Sequence, residues 1–289
     1  MPLFDRVTIV GLGLIGGSLG MAVRTKRLAR EVIGLSRTNA TVQRARRRGA
    51  IDWGTTDLRR AVSGAQVVVL AAPVRAIASD AKRLAQWMPP QSILTDVGST
   101  KSWLAKTIES SLPAHVQFVG AHPLAGSEQR GIGAAHERLF DGCLCMITRT
   151  SRTSPRALKL VTSLWRPLVR RVIVLTPEHH DDLMAQTSHL AHLLAFGLAA
   201  SVSRQGLAIA PKSFQEMTRV AKSDPVLWSD IFITNRACVL AAMDRFYQRC
   251  ATLRAAIQQQ DYRALRSVLA NAKGRREALD SQARVSRIV

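Results

Sequence analysis

The stretch VTIVGLGLIGGSLGMAVR, residues 7–24, decides the fold. VTIV (7–10) is a short β-branched run that stops at a glycine, and apolar residues at helical spacing follow it. Gly11, Gly13 and Gly16 form a GxGxxG between the two. A glycine triplet alone is a weak sign, but between a strand and a helix it is specific. The first glycine permits a tight turn, the second lets the backbone approach a pyrophosphate, and the third lets the helix pack against the strand. The helix N-terminus then offers N–H groups to the phosphates.

Working outward, EVIGLSR (31–37) reads as the second strand. In the NAD form of this arrangement an acidic residue about 20 positions past the glycines binds the ribose hydroxyls. Ser36 and Arg37 stand in that region instead. A guanidinium suits a 2′-phosphate, which leans the reading towards NADP; with Arg37 solvated, NAD is also accommodated. AQVVVLAAPV (65–74), SILTDVGS (92–99) and VQFVGAHP (116–123) read as further strands, and Pro89 and Pro90 end the helix after the first of these. Ligands of open α/β sheets bind beyond the carboxyl ends of the strands. The loops at Ala72 and Pro73, at Ser99 and at His122 therefore share one edge with the glycine loop. The expected cofactor-binding set is Gly11, Gly13, Leu14, Ile15, Gly16, Ser36, Arg37, Ala72, Pro73 and Ser99.

RVIVLTPEHHDD (171–182) supplies a last strand and then a helix start, with Thr176 as cap and Pro177 in the first turn. Strand signals end there, and helical periodicity runs to the C-terminus. The expected fold is α/β: an N-terminal Rossmann-type, doubly wound, mostly parallel sheet at 1–175, then an all-helical substrate and dimerisation domain at 176–289. Apolar helices must bury their faces, and a homodimer through the helical part is expected. His179-His180-Asp181-Asp182 lacks metal-ligand spacing and reads as an acid-rich helix start. His189 and His192 are three apart and share a helix face beside Ser188, which favours a site there.

The 289 residues suffice for two domains, and 47% hydrophobic with 21% charged residues describes a globular chain. No apolar run is long enough to span a bilayer, and the start reads as a strand rather than a signal peptide. Cys143, Cys145, Cys238 and Cys250 lack zinc spacing, and thiols in a reducing cytoplasm are expected. The net charge of +21 raises nucleic-acid binding. Basic residues such as Arg44, Arg46, Arg47, Arg48, Arg275 and Arg276 are scattered, however, and aromatic content is 5%, a poor base-stacking surface. Arginines on solvated helix faces are the preferred reading, with steering of anionic ligands as a second.

Taken in order, VGLGLIGGS (10–18), DVGSTK (96–101), GAHPLAGSEQRG (120–131), EHHDDLMAQTSHLAH (178–192) and TRVAKSDPVLWSDIFITN (218–235) resemble the prephenate/arogenate dehydrogenase family of tyrosine biosynthesis. The resemblance implies oxidative decarboxylation of prephenate to 4-hydroxyphenylpyruvate with hydride transfer to NAD(P)+. An arogenate dehydrogenase or a dual-specificity cyclohexadienyl dehydrogenase is the alternative. It also implies His122 as base for the substrate hydroxyl and Ser99 as a hydrogen-bond partner of that hydroxyl beside the nicotinamide. Glu128 belongs to the pocket loop, His189 lines the pocket, Arg219 clamps a carboxylate, and Lys222, Asp224 and Trp228 support that region. This chain departs from the family at Ser36-Arg37, at Glu216, an acid near an anionic substrate, and at Ala191, where a proline is commoner. A 3-hydroxyacid dehydrogenase needs a catalytic lysine at the domain junction, which LTPEHHDDLMAQTSHLAH lacks.

Overall fold

Eight strands form one sheet in the order β3-β2-β1-β4-β5-β6-β7-β8, and the order in which strands are added reverses at the β1–β4 boundary. The computed structural model describes residues 1–126 and 129–285, with side chains as far as residue 279. In chain order the first half contains β1 (Phe4–Val10), α1 (Leu14–Thr25), β2 (Ala29–Leu35), α2 (Asn39–Arg47), β3 (Trp53–Thr55), α3 (Leu58–Val62), β4 (Val67–Leu70) and α4 (Val74–Ala85). Then come β5 (Ile93–Asp96), α5 (Ser102–Glu109), β6 (Gln117–Pro123), β7 (Leu144–Thr148), α6 (Pro155–Trp165) and β8 (Arg171–Leu175). The helical part contains α7 (Pro177–Met184), a π-turn (Ala185–His189), α8 (Leu190–Ser201), α9 (Arg204–Ala208) and α10 (Lys212–Thr218). A 3-10 turn (Arg219–Lys222), α11 (Pro225–Thr234), α12 (Arg236–Gln258) and α13 (Tyr262–Val285) follow.

The central strands VVVL and ILTD are buried at every position, as a parallel sheet covered on both faces requires. Leu19, Val23, Val42, Ala45, Val161 and Trp165 pack one face, from α1, α2 and α6. Ala61, Ile77, Ala81, Leu84, Leu104 and Ile108 pack the other, from α3, α4 and α5. The helical crossovers keep neighbouring strands parallel from β3 through β6. The β6–β7 pair is antiparallel, and α6 then brings β8 parallel to β7. β3 and β7 are additional to the strands expected from the sequence. Cys145 lies buried on β7, and Cys143, just before it, is half-buried.

Three helices begin with a polar cap followed by proline. Ser154, Thr176 and Asp224 accept N–H groups from Ala157, His179 and Val226, and Pro155, Pro177 and Pro225 open the helices. A proline there loses nothing, since its missing N–H would have had no partner in the helix. The chain divides into two compact units, Met1–Val239 and Leu240–Val289. The strands end at Leu175, but α7 to α11 belong to the first unit, for which α7 gives the reason. The Asp181 carboxylate accepts the backbone N–H groups of Lys101 and Ser102, and Asn235 donates to the Asp181 carbonyl.

Candidate active site

Gly11 has φ +94°, a conformation that strains any other residue, and a Cβ there would lie 2.4 Å from the Ala71 carbonyl oxygen. A Cβ on Gly16 would lie 2.0 Å from the Gly11 carbonyl oxygen, so only glycine lets α1 come this close to the turn. At Gly13 a Cβ would meet nothing within 4 Å, so the backbone is bare towards the space above it. No side chain caps α1 at Gly13. A bare turn and an uncapped helix start fit a dinucleotide pyrophosphate.

This turn opens onto a cleft of about 770 Å³ along the carboxyl edge of the sheet. Gly13, Leu14, Ile15, Ala72, Pro73, Ser99 and His122 line its sheet side. His189, His192, Arg219, Asp224 and Trp228 line its helical side. Several expected residues stand elsewhere. Gly11 and Gly16 lie beneath the cleft in the packing of α1. Ser36, half-buried, donates its N–H to the Thr55 carbonyl, and Arg37 is exposed near Asp80. Lys222 is exposed and outside the lining. Glu216 faces solvent and pairs with Lys212, away from the cleft. Glu128 falls outside the described residues.

His122 is the next-to-last residue of β6 and is half-buried. Its Nδ1 lies 2.9 Å from His180 Nε2, and His180 Nδ1 lies 2.8 Å from Asp181 Oδ1. Asp181 also accepts the N–H groups of Lys101 at 2.8 Å and Ser102 at 2.9 Å. An ionised carboxylate only accepts, so the His180 proton sits on Nδ1 and its Nε2 is bare. His180 Nε2 then accepts the Nδ1–H of His122, which leaves His122 Nε2 as a free acceptor. Burial, then His180, Lys101 and His189, holds His122 well below the ordinary imidazole pKa. Burial likewise lowers His180, against the opposing hydrogen bond from Asp181. Burial would raise Asp181, but His180 and the two backbone N–H groups outweigh it and keep the carboxyl low. Since His180 is lowered rather than raised, the pair is a neutral imidazole on a carboxylate, not a buried ion pair.

Asp96 and Lys101 form a fully buried ion pair at 2.5 Å. Asp96 also accepts the N–H groups of Gly98 at 2.7 Å and Ala121 at 3.2 Å. One carboxylate thus ties the turn that carries Ser99 to the strand that carries His122. His189 is buried, its Nδ1 3.1 Å from Asn235 Nδ2, and burial lowers its pKa to about 4. His192 donates Nδ1–H to the Ser188 carbonyl and stacks on Trp228 with centroids 3.6 Å apart. The π-turn before α8 carries both Ser188 and His189; such turns recur where a helix is shaped around a site. Arg219 is exposed, and among the described residues no carboxylate pairs with it.

Residues 179–182 do open α7, as the helix-start reading has it, but two of them do more than that. His180 and Asp181 are 0% and 1% exposed and belong to the site, whereas His179 is exposed. The available signal was their place: a polar run opening the helix after the last strand sits at the sheet's carboxyl edge.

A nucleotide turn, a base-like histidine and a cationic helical wall on one cleft define a dinucleotide-dependent oxidoreductase architecture. The model of the prephenate dehydrogenase nucleotide-binding domain matches residues 19–175, and that of the prephenate dehydrogenase dimerization domain matches residues 176–271. The chain belongs to the prephenate dehydrogenase family. It is 34% identical to a cyclohexadienyl dehydrogenase of Zymomonas mobilis, over 90% of this chain and 91% of that one. Prephenate dehydrogenase of Aquifex aeolicus, solved with hydroxyphenyl propionate and NAD+, superposes with TM-score 0.89 at 30% identity, covering 95% and 98% of the two chains. Synechocystis arogenate dehydrogenase gives TM-score 0.83 at 28% identity, covering 95% and 99%.

Proposed function

We propose that this protein oxidises and decarboxylates prephenate to 4-hydroxyphenylpyruvate with NAD(P)+. The observation that carries the reading is the His122–His180–Asp181 chain, which presents an unprotonated Nε2 to the cleft beside the glycine turn. A nicotinamide bound there supplies the hydride acceptor.

The substrate hydroxyl donates its proton to His122 Nε2 as its carbon becomes a carbonyl. The positive charge that forms on His122 is shared along the hydrogen bonds towards Asp181. Ser99 hydrogen-bonds the same hydroxyl from the turn pinned by Asp96. The bond to the ring carboxylate then breaks, carbon dioxide leaves, and its electron pair makes the ring aromatic. His122 returns the proton to the phenol oxygen, so the enzyme gains no net proton. Arg219 clamps a substrate carboxylate, with His192 and Trp228 beside it and His189 behind.

Prephenate is favoured over arogenate by charge. Asp224 is the one carboxylate among the described lining residues, and it is engaged by Arg130 at 2.9 Å and by the N-terminus of α11. A dianion meets cations, whereas the amine of arogenate finds no free acid among them. The arogenate reading is kept because the alanyl and pyruvyl side chains differ at one group. Ser36 and Arg37 in place of an acid favour NADP over NAD. The protein acts in the cytoplasm as a homodimer through residues 176–289. Ile209, Met217, Val226 and Ile233 are 83%, 69%, 70% and 66% exposed on the chain by itself, which supports the dimer.

The test is nicotinamide reduction by the purified protein with prephenate and arogenate, each with NADP and NAD. Turnover with prephenate supports the reading, and turnover with arogenate alone changes the substrate. Absence of reduction in all four mixtures overturns it. Sedimentation that finds only monomer would remove the homodimer.

A further inference from the structure

Arg130 joins the two walls of the active cleft. The chain just after it is anchored to the nucleotide-binding side. Ile132 is buried in the core shared with α1, the buried Ser18 hydroxyl accepts the His136 N–H at 3.0 Å, and Arg48 donates to the Ala135 carbonyl at 2.8 Å. From this base Arg130 reaches the helical wall, where its Nη1 lies 2.9 Å from Asp224 Oδ2. Both residues line the cleft. Asp224 Oδ1 accepts the Val226 N–H at 2.9 Å and so caps α11. Each carboxylate oxygen therefore has a donor already.

This pair sets the charge of the cleft. Beyond the histidines, the ionic groups among the described lining residues are Arg130, Arg219 and Asp224. Arg130 cancels Asp224 and leaves Arg219 as the net charge. Without Arg130, the same walls would hold one cation and one acid with a free oxygen. The two candidate substrates differ at the group that senses this change. A pyruvyl side chain carries a neutral ketone beside its carboxylate, whereas an alanyl side chain carries an ammonium there. An ammonium that leaves water needs an acceptor, and its burial is costly without one. Arg130 both occupies the acceptor and adds a like charge, and a repulsive element of this kind separates ligands that otherwise fit equally well.

We propose that the Arg130–Asp224 pair selects the keto-acid side chain over the amino-acid side chain, with Arg130 as the specificity-determining residue. The proposal rests on the substrate reading above and gives its choice between prephenate and arogenate to one side chain. The Arg130 side chain is 63% exposed, so the ion pair adds little to stability and its variants should fold.

The test compares the native protein with Arg130→Gln, Arg130→Lys and Arg130→Gln/Asp224→Asn. Asparagine caps a helix as well as aspartate does, so the double variant keeps α11 and restores the neutrality of the native pair. Two ratios are measured. One is kcat/KM for arogenate over prephenate, and the other is calorimetric affinity for tyrosine over 4-hydroxyphenylpyruvate, which carry the same alanyl and pyruvyl side chains. Both ratios should rise roughly tenfold in Arg130→Gln, the gain of one charge-assisted contact, and return to near native in the double variant. Arg130→Lys should keep the native ratios. Ratios that do not move in Arg130→Gln, or a rise that persists in the double variant, overturn the proposal, as does a native protein that binds neither probe. The affinity ratio needs no turnover. A protein that binds both probes but reduces no nicotinamide would lose the dehydrogenase reading, while the pair is still decided by the binding ratio.

Discussion

On the sheet side of the active cleft, His122 is backed by His180 and Asp181, both buried, and by the buried Asp96–Lys101 pair. On the helical side, Arg219 is exposed, and Trp228 is buried against a stacked His192, with His189 and Phe232 beside it. The first wall is electrostatically set before any ligand arrives. The His122–His180–Asp181 chain is hydrogen-bonded throughout, which leaves His122 Nε2 as its bare lone pair. The second wall keeps a charge unpaired for an incoming anion. The difference fits two tasks, since proton transfer needs a fixed tautomer at low reorganisation cost and anion capture needs a hydrated, adjustable cation.

Substitutions on the two walls should separate in kinetics. The largest effect belongs to His122→Asn, which should lower kcat roughly 10³-fold with cofactor affinity retained. Near-normal turnover would remove His122 from proton handling. Asp181→Asn comes next. It should lower kcat about a hundredfold, because an amide no longer holds His180 with its proton on Nδ1. A loss confined to thermal stability, with kcat and its pH profile intact, would make Asp181 purely structural. On the other wall, Arg219→Gln should raise the prephenate KM by about 10- to 100-fold and leave kcat near native, the loss of one charge-assisted contact. A fall in kcat at unchanged KM would contradict the division of labour.

The pH dependence sharpens the comparison with a smaller effect. His122 must be unprotonated to act, and its pKa lies below the ordinary 6.5. The acid limb of kcat/KM should therefore lie below pH 6.5, and Asp181→Asn, by removing a stabilising carboxylate, should move it lower still. Stability carries the same sign. His189 titrates at 6.5 when unfolded but near 4 when folded, so the unfolded chain takes up a proton that the fold refuses. Stability is complete above 6.5 and declines as pH falls towards 4. A Tm that stays constant from pH 7 to pH 4 would show that burial does not hold these histidines neutral.

Much of the sheet wall was legible in the sequence. The strand–glycine–helix order placed the nucleotide turn, and VGAHP placed His122 at a carboxyl edge. Its helper residues were not legible. His180 is 58 positions from His122, and no spacing rule relates them. The same four polar residues make an equally good solvated helix start. The arginines of α2 are exposed, as a solvated helix face requires, but that three of them line a cleft with Arg130 and Gly131 could not be read from their spacing.

The sequence by itself determined most of the elements, β3 and β7 excepted, and the edge at which a ligand must lie. Strand and helix periods, glycine positions and cap–proline pairs act within a few residues, and each is printed in the local pattern. Only the tertiary structure decided the protonation of His122, the partners of Asp181 and the company of Arg44 and Arg47. Those depend on burial and on hydrogen bonds between distant segments. A charge's meaning changes with desolvation and with its neighbours across the fold, and neither is a property of adjacent letters.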